Sequence, residues 1–340
     1  MNILAVTCMR NEGPYCLEWI AYHRALGFKN FLIYTHDCTD GTDVILDLIP
    51  EVSHVRFETE ANKSPQWSAM RLADRHPQMK TADWAMFFDC DEFLCLKEPL
   101  NSISDLISSV PKTTDAIALQ WHLFGSSFHT GWEDGLVLER FLLAAPLDFT
   151  LPAGHFFKTL FRPERFQKLG VHRPKNKNGV APNWNISGTM PASDSFSNND
   201  KRINLFGISS ASPTAWLNHY SVKSVTEFMI KRDRGLPNRR TKDINMGYWA
   251  ERNFNTRKCG KIQRFFKETE SELDALSKIE GLVSLLRVAR QRHQLRFDEL
   301  MAAPENIMLF LHLSLLQTST PPGRDEIGKH LTRLAKSSSK

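Results

Sequence analysis

Residues 84–96 read WAMFFDCDEFLCL. The run from Trp84 to Phe88 is apolar at every position, as expected of a strand covered on both faces. It stops abruptly at Asp89, Cys90, Asp91 and Glu92, after which apolar residues resume. Extended chain alternates its side chains with a period of two, so this spacing predicts Asp89 and Asp91 on one side and Cys90 on the other. Two carboxylates brought together raise each other's pKa unless a cation lies between them. Hard oxygen donors suit Mg²⁺ or Mn²⁺, and such an ion in turn holds a diphosphate. The competing reading is a solvated turn, or acids paired with Lys or Arg; placement in the chain decides between the two.

Upstream, NILAVTC (2–8), NFLIYT (30–35) and VSHVRFE (52–58) read as strands. Between them, 11–30 reads as a helix with Pro14 in its first turn and Gly27 as its stop, and 40–49 and 64–76 read as helices. DAIALQWHLFG (115–125) is a further strand. Strand and helix alternate to about residue 125, which predicts an α/β fold with a mostly parallel, Rossmann-like sheet flanked by helices. Ligands of such sheets bind beyond the carboxyl ends of the strands, where Asp89 and Asp91 fall. Residues 126–215, rich in Gly, Pro, Asn and Ser, read as long loops over a site. Residues 223–235 and 261–292 read as helical. The resulting division is a domain over 1–240, made of an alternating part over 1–125 and a loop region over 126–240, a helical C-terminal extension over 241–330 and a disordered tail over 331–340.

The composition, 41% hydrophobic and 24% charged in 340 residues, is that of an ordinary globular protein. A net charge of +5 suits an anionic small ligand or an acidic membrane face and gives no case for nucleic acid. Cys8, Cys16, Cys38, Cys90, Cys95 and Cys259 include no C-x-x-C pair. They read as reduced thiols in a cytosolic setting. MNILAVTCMRNE is too short to span a bilayer and lacks a basic leader.

Four segments together resemble a known family: 9–42 (MRNEGPYCLEWIAYHRALGFKNFLIYTHDCTDGT), 87–94 (FFDCDEFL), 121–141 (WHLFGSSFHTGWEDGLVLERF) and 219–235 (HYSVKSVTEFMIKRDRG). In this order they resemble nucleotide-sugar glycosyltransferases of the GT-A fold, above all glycosyltransferase family 92 and the family-2-like proteins beside it. The resemblance covers about residues 1–240 and implies a GT-A domain there, with nucleotide-sugar binding over about 1–125 and the acceptor and loop region over about 126–240. One departure is Thr35-His36-Asp37, where the family pattern has an acid directly after the strand-end aromatic. Asp37 then takes the nucleoside contact from a shifted position, or donor preference differs.

The resemblance implies roles. Asp89 and Asp91 form the metal–diphosphate pair, with Asp91 the direct ligand, Glu92 orienting it and His219 a further ligand of Mn²⁺ or Mg²⁺. Thr7, Arg10, Asn11 and Glu12 border the nucleotide, although Asn11 and Glu12 also read as helix caps. Lys223, Lys231 and Arg234 face the leaving diphosphate or form a solvated helix face. His155 and His172 fall in the loop-rich region near the site. The base that deprotonates the acceptor is expected at Asp134, then Glu133, then Glu139; helix capping is the competing role for these acids. Trp121, Trp132 and Phe128 are candidates to stack on the acceptor sugar, with burial in the core as the alternative.

The implied activity is a metal-dependent, inverting transfer from a UDP-linked sugar to a glycan, glycolipid or other hydroxyl acceptor. The setting expected is a bacterial-type enzyme building a surface or exported glycan at the cytosolic side. The basic tail is compatible with peripheral contact to an anionic membrane or with packing on the core. No sequence feature sets an oligomeric state. A nucleotidyltransferase would need a Gly-rich basic loop after strand one, which TCMRNEGPY lacks. A non-catalytic sugar-binding protein would have little reason to keep these acids, His219 and the basic helix.

Overall fold

The computed structural model describes residues 1–337 apart from 61–62, 147–148, 150, 209–211, 236–243 and 322. β1 (Ile3–Met9) is buried along its whole length. α1 (Gly13–Ala25) carries Pro14 in its first turn, where the missing N–H has no partner to lose. Then come β2 (Asn30–Thr35), α2 (Thr42–Asp47), β3 (Val52–Arg56), α3 (Pro65–Ala73) and α4 (Pro77–Thr81). They lead to β4 (Trp84–Phe87), β5 (Glu92–Leu96), α5 (Ile103–Ser109) and β6 (Ala116–Leu123). β1 is central and parallel to both neighbours: Ala5 lies opposite Phe31 of β2 and Met86 of β4. β3 extends the sheet in the same sense.

The middle of the chain differs from the expectation of loops. It holds α6 (Val137–Arg140), β7 (Leu143–Ala144), β8 (Phe157–Phe161), β9 (Phe166–Lys168), β10 (Lys175–Asn176), β11 (Trp184–Ile186), β12 (Met190–Pro191), α7 (Asp194–Ser197) and β13 (Ala215–His219). β8 enters the main sheet antiparallel between β4 and β6, giving the order β12-β11-β6-β8-β4-β1-β2-β3. Phe157, Phe161, Phe166, Trp184 and Phe196 then form part of a second apolar layer with residues of β1 and α3. β13 runs parallel to the end of β6 and antiparallel to β5, so His219 stands opposite both Leu123 and Glu92.

The C-terminal part is helical: α8 (Val225–Arg234), α9 (Met246–Ala250), a short β14 (Arg257–Lys258), α10 (Phe266–Ser277), α11 (Leu282–Leu300), α12 (Pro304–Leu315) and α13 (Arg324–Ser337). α10 and α11 pack on α1, α11 also on α2 and α8, and α12 on α8. The approach to α1 is close: a Cβ on Gly13 would lie 2.7 Å from that of Ala289. α13 runs to Ser337, into the stretch 331–340 expected as a tail, with Ile327 buried near its start. Residues 338–340 lie outside the described residues. No helix among the described residues is long and apolar enough to cross a membrane.

Candidate active site

β4 ends at Phe87, so Asp89 and Asp91 sit in a turn between two strands and not in extended chain. The turn is locked from both ends. Asp89 N–H donates to Glu92 Oε2 (2.9 Å), and Glu92 N–H donates to the Asp89 carbonyl (3.0 Å). Cys90 points into the core, as alternation predicted. The two carboxylates turn to separate partners, which alternation did not predict. Asp89 accepts from Lys158 Nζ (2.9 Å, on Oδ2) and Gln66 Nε2 (2.9 Å, on Oδ1). Asp91 accepts from Lys231 Nζ (2.6 Å, on Oδ2), while its Oδ1 lies 3.6 Å from His219 Nε2.

Burial opposes every charge here, and specific neighbours decide the outcome. At Asp91, burial favours the neutral acid, but Lys231 and His219 hold its carboxyl well below the usual range. At Lys231, burial favours the neutral amine, but Asp91 raises the ammonium's pKa. Lys158, fully buried on β8, follows the same pattern: burial lowers it, Asp89 and Glu92 raise it, and the net shift is upward. For Glu92, burial wins over Lys158 and pushes the carboxyl well above its usual range. His219 is shifted down by burial against the pull of Asp91, which favours neutral imidazole.

Beside Asp91 opens a cleft lined by Asn11, Glu12, Tyr15, Lys223, Lys231 and Arg234, with His293 at its wall. The loop after β1 and the end of α8 are stitched together there. Arg10 Nη1 donates to the Arg234 carbonyl (3.1 Å), Arg234 Nη1 donates to the carbonyls of Arg10 (2.8 Å) and Asn11 (3.2 Å), and Arg234 pairs with Glu12. Lys223 Nζ lies 4.2 Å from the Tyr15 ring centre. Asn11, Asp37 and Lys223 all have positive φ, at 50°, 46° and 54°. Such backbone in non-glycine residues is sparsely populated and gathers at functional sites.

Of the remaining expected residues, Thr7 is buried in β1 and its hydroxyl has no partner among the described residues. Asp37 is largely exposed and bonded to His36 Nδ1 (3.0 Å). Trp121 packs tilted against His219 with ring centres 4.2 Å apart and meets His172 edge-on at 5.3 Å, so both lie by the Asp91 turn. His155 is turned onto the Phe149 carbonyl (2.9 Å).

Two of the three candidate bases, Glu133 and Asp134, line a neighbouring pocket that shares Tyr15 with the cleft and includes Trp132 and Arg290. Asp134 is 90% exposed and 4.0 Å from Arg290. Glu133 is engaged by His129 (2.9 Å), and Glu139 caps the N–H of Leu136 (3.1 Å). The structure thus places Asp89, Asp91, His219, Lys231 and Arg234 around one turn and cleft, and Glu133 and Asp134 in the next pocket, with Glu139 turned to its own helix start. Between the two, Glu227 accepts both Arg140 Nη atoms (3.0 Å each) and the Tyr15 hydroxyl (3.1 Å).

Sequence reasoning missed Lys158, Gln66 and the Arg140–Glu227 pair. Lys158 had a signal: a lone lysine in the apolar run HFFKTLF (155–161) must find a buried carboxylate. Gln66 and Glu227, on helix faces of ordinary polarity, had none.

Among the described residues no three His, Cys, Asp or Glu side chains form a ready-made metal centre. A two-ligand arrangement does fit. Ligands about 2.0–2.2 Å from one ion stand about 3–3.5 Å apart. The 3.6 Å between Asp91 Oδ1 and His219 Nε2 is close to that, and the neutral imidazole has a lone pair to give. Mg²⁺ and Mn²⁺ complete such a shell with ligand oxygens and water. Asp89, held by Lys158 and Gln66, stands outside that pair.

Residues 6–184 match the model of glycosyltransferase family 92. A glycosyltransferase family 92 protein of Ricinus communis is 25% identical over 127 residues, 36% of this chain and 22% of its own length. One of Oryza sativa subsp. japonica is 26% identical over 135 residues, 38% of this chain and 22% of its own. The match thus spans about a fifth of the length of these relatives. Among solved structures, an active-site mutant of LgtC aligns with TM-score 0.35 and 13% identity over 79% of this chain and 95% of that one. S. aureus TarS aligns with TM-score 0.29 and 12% identity over 48% of this chain and 28% of that one. With its family model matched over more than half of its residues, the chain belongs to glycosyltransferase family 92.

Proposed function

We propose that the chain transfers a sugar from a nucleotide-sugar donor, UDP-linked, to a hydroxyl of a glycan or glycolipid with inversion, and that it works at the cytoplasmic side with Mn²⁺ or Mg²⁺. The observation that carries the reading is the grouping of Asp91 and His219 with Lys231, which with Arg234 lines the adjoining cleft beyond the sheet. The cleft's cations, Lys223, Lys231 and Arg234, suit a diphosphate, and binding it would draw Lys231 from Asp91 onto a phosphate oxygen. Asp91 and His219 would hold the metal, which when bound neutralises charge on the departing diphosphate. Asn11, Glu12 and Arg10 would border the nucleotide from the loop after β1. The acceptor is assigned to the neighbouring pocket, with Trp132 as a stacking face and Asp134, exposed and held only loosely by Arg290, as the base. The setting in a bacterial-type cell and peripheral contact with an anionic membrane belong to the same proposal.

A donor screen tests the activity: UDP-, GDP- and ADP-sugars are offered with a hydroxyl acceptor panel, with and without Mn²⁺, and the released nucleoside diphosphate is read. Release from one donor class only with metal is expected. Metal-stimulated pyrophosphate release from a sugar phosphate and a nucleoside triphosphate would instead make it a nucleotidyltransferase.

A further inference from the structure

α11 lies wholly beyond the segment that matches the family model, yet it reaches the donor cleft. Its His293 is 95% buried, with Nε2 2.9 Å from Asp40 Oδ2. Asp40 is the hub of the loop between β2 and α2. Its Oδ2 also accepts the Gly13 N–H (2.9 Å), and its Oδ1 accepts the N–H and the hydroxyl of Thr42 (2.9 and 2.6 Å). Thr42 Oγ1 in turn accepts the Glu12 N–H (2.9 Å), and Asn11 Oδ1 accepts the Thr39 N–H (2.8 Å). Next to His293, Arg292 donates to the Thr39 carbonyl (2.6 Å). One turn of α11 therefore holds the loop after β2, which is itself bonded to the loop after β1.

The other ring nitrogen is the informative atom. His293 Nδ1 is buried, has no partner among the described residues, and belongs to a side chain that lines the cleft with Asn11, Glu12 and Tyr15. A buried polar atom without a partner is costly and rare, and one on the wall of a binding cleft is satisfied when the ligand arrives. Because the Asp40 carboxylate only accepts, Nε2 carries the proton towards it, and Nδ1 of the neutral ring is a lone pair. A lone pair needs a donor. Phosphate oxygens are acceptors; the hydroxyls of ribose and of the transferred sugar are donors.

We propose that His293 is a ligand-binding residue supplied by the C-terminal helices, accepting a hydroxyl of the bound nucleotide sugar at Nδ1 while Asp40 fixes its tautomer and ring plane. The proposal rests on reading the cleft as the donor site. It gives the C-terminal extension a part in recognition: without α11 the loop after β2 loses its bonds to Arg292 and His293, and the donor loses one hydrogen bond.

The experiment pairs ligand and protein changes. Binding of UDP, 2′-deoxy-UDP and UDP-glucose, each with Mn²⁺, is measured by calorimetry for the wild type, His293→Ala, His293→Gln and Asp40→Asn, with thermal unfolding of each. A ribose contact predicts that the wild type prefers UDP to 2′-deoxy-UDP by about 3- to 10-fold, that His293→Ala abolishes the preference, and that His293→Gln, which keeps an acceptor, restores part of it. A contact to the transferred sugar predicts that His293→Ala weakens UDP-glucose by that factor and leaves both nucleotides unchanged. If His293→Ala weakens all three ligands equally and lowers the unfolding temperature as Asp40→Asn does, the residue is structural only and the proposal is overturned. A wild type that binds none of the three removes the donor-site reading itself, a failure visible before any variant is made.

Discussion

Lys231 Nζ lies 2.6 Å from Asp91 Oδ2, in a pair whose side chains are each about nine-tenths buried. The contact joins α8 to the turn after β4 across 140 residues of sequence. It also decides how the site responds to pH. Asp91 is held below its usual range, so its contribution is present above the unfolded value of about 3.9 and lost as pH falls through the lower folded value. Lys231 is raised, so its contribution is present below about 10.4 and lost only as pH rises through the higher folded value. Between about pH 5 and 9 the pair is constant. Removing one partner of a buried pair costs about 3–5 kcal/mol, and Lys231→Met should show that loss in urea unfolding, flat across this window. A loss that disappears between pH 5 and 7 would trace the effect to His219.

Glu92 should behave in the opposite way. Burial raises its carboxyl, so its favourable contribution is present below about 4.3 and lost as pH rises through the folded value. Glu92→Gln stays neutral throughout and keeps an acceptor for the Asp89 N–H. At pH 8 the variant should equal or exceed the wild type by about 1 kcal/mol, with the gain shrinking towards pH 4. A variant clearly less stable at pH 8 would mean that the ionised form is favoured through Lys158, which lies 3.5 Å away.

The parallel half of the sheet could be read from the chain because each of its elements is local. β1, β2 and β4 are short, largely apolar runs, β3 is a short half-buried strand, and α1 has its own start and stop signals. The grouping of Asp89 and Asp91 with His219 and the α8 cations followed from motif order. β8 was hidden by its surroundings: its partners, β4 and β6, are far away in sequence, and its neighbours are rich in turn-forming residues. With β8 went Lys158, and with Lys158 the knowledge that Asp89 has a fixed cation. His293 was hidden for the same reason, since its partner Asp40 is 253 residues away.

Asp134 as base separates chemistry from binding. Asp134→Asn should bind donor and metal almost normally, because the contacts proposed for them lie in the adjacent cleft, while kcat falls by about 10²–10⁴. Near-normal transfer by Asp134→Asn combined with loss in Glu133→Gln or Glu139→Gln would move the base within the segment. Activity in all three would place it elsewhere or make the enzyme retaining.

All six cysteines are free, four of them buried. Burial pushes the Cys38 thiol up to about 12 and raises the half-buried Cys259 thiol, so neither is a ready nucleophile. Thiol titration of the native protein should find at most these two, slowly, and six after denaturation. Fewer than six in denaturant without reductant would show native disulfides and contradict a reducing compartment.

The most direct test of the central claim is calorimetric titration of UDP into the wild type and Asp91→Asn, each with Mn²⁺ and with excess chelator. The account predicts saturable binding by the wild type only with the metal, and a loss of at least tenfold in Asp91→Asn. Binding by the wild type that is undiminished in chelator, and equal in Asp91→Asn, would contradict it: Lys223, Lys231 and Arg234 would then hold the diphosphate without a metal.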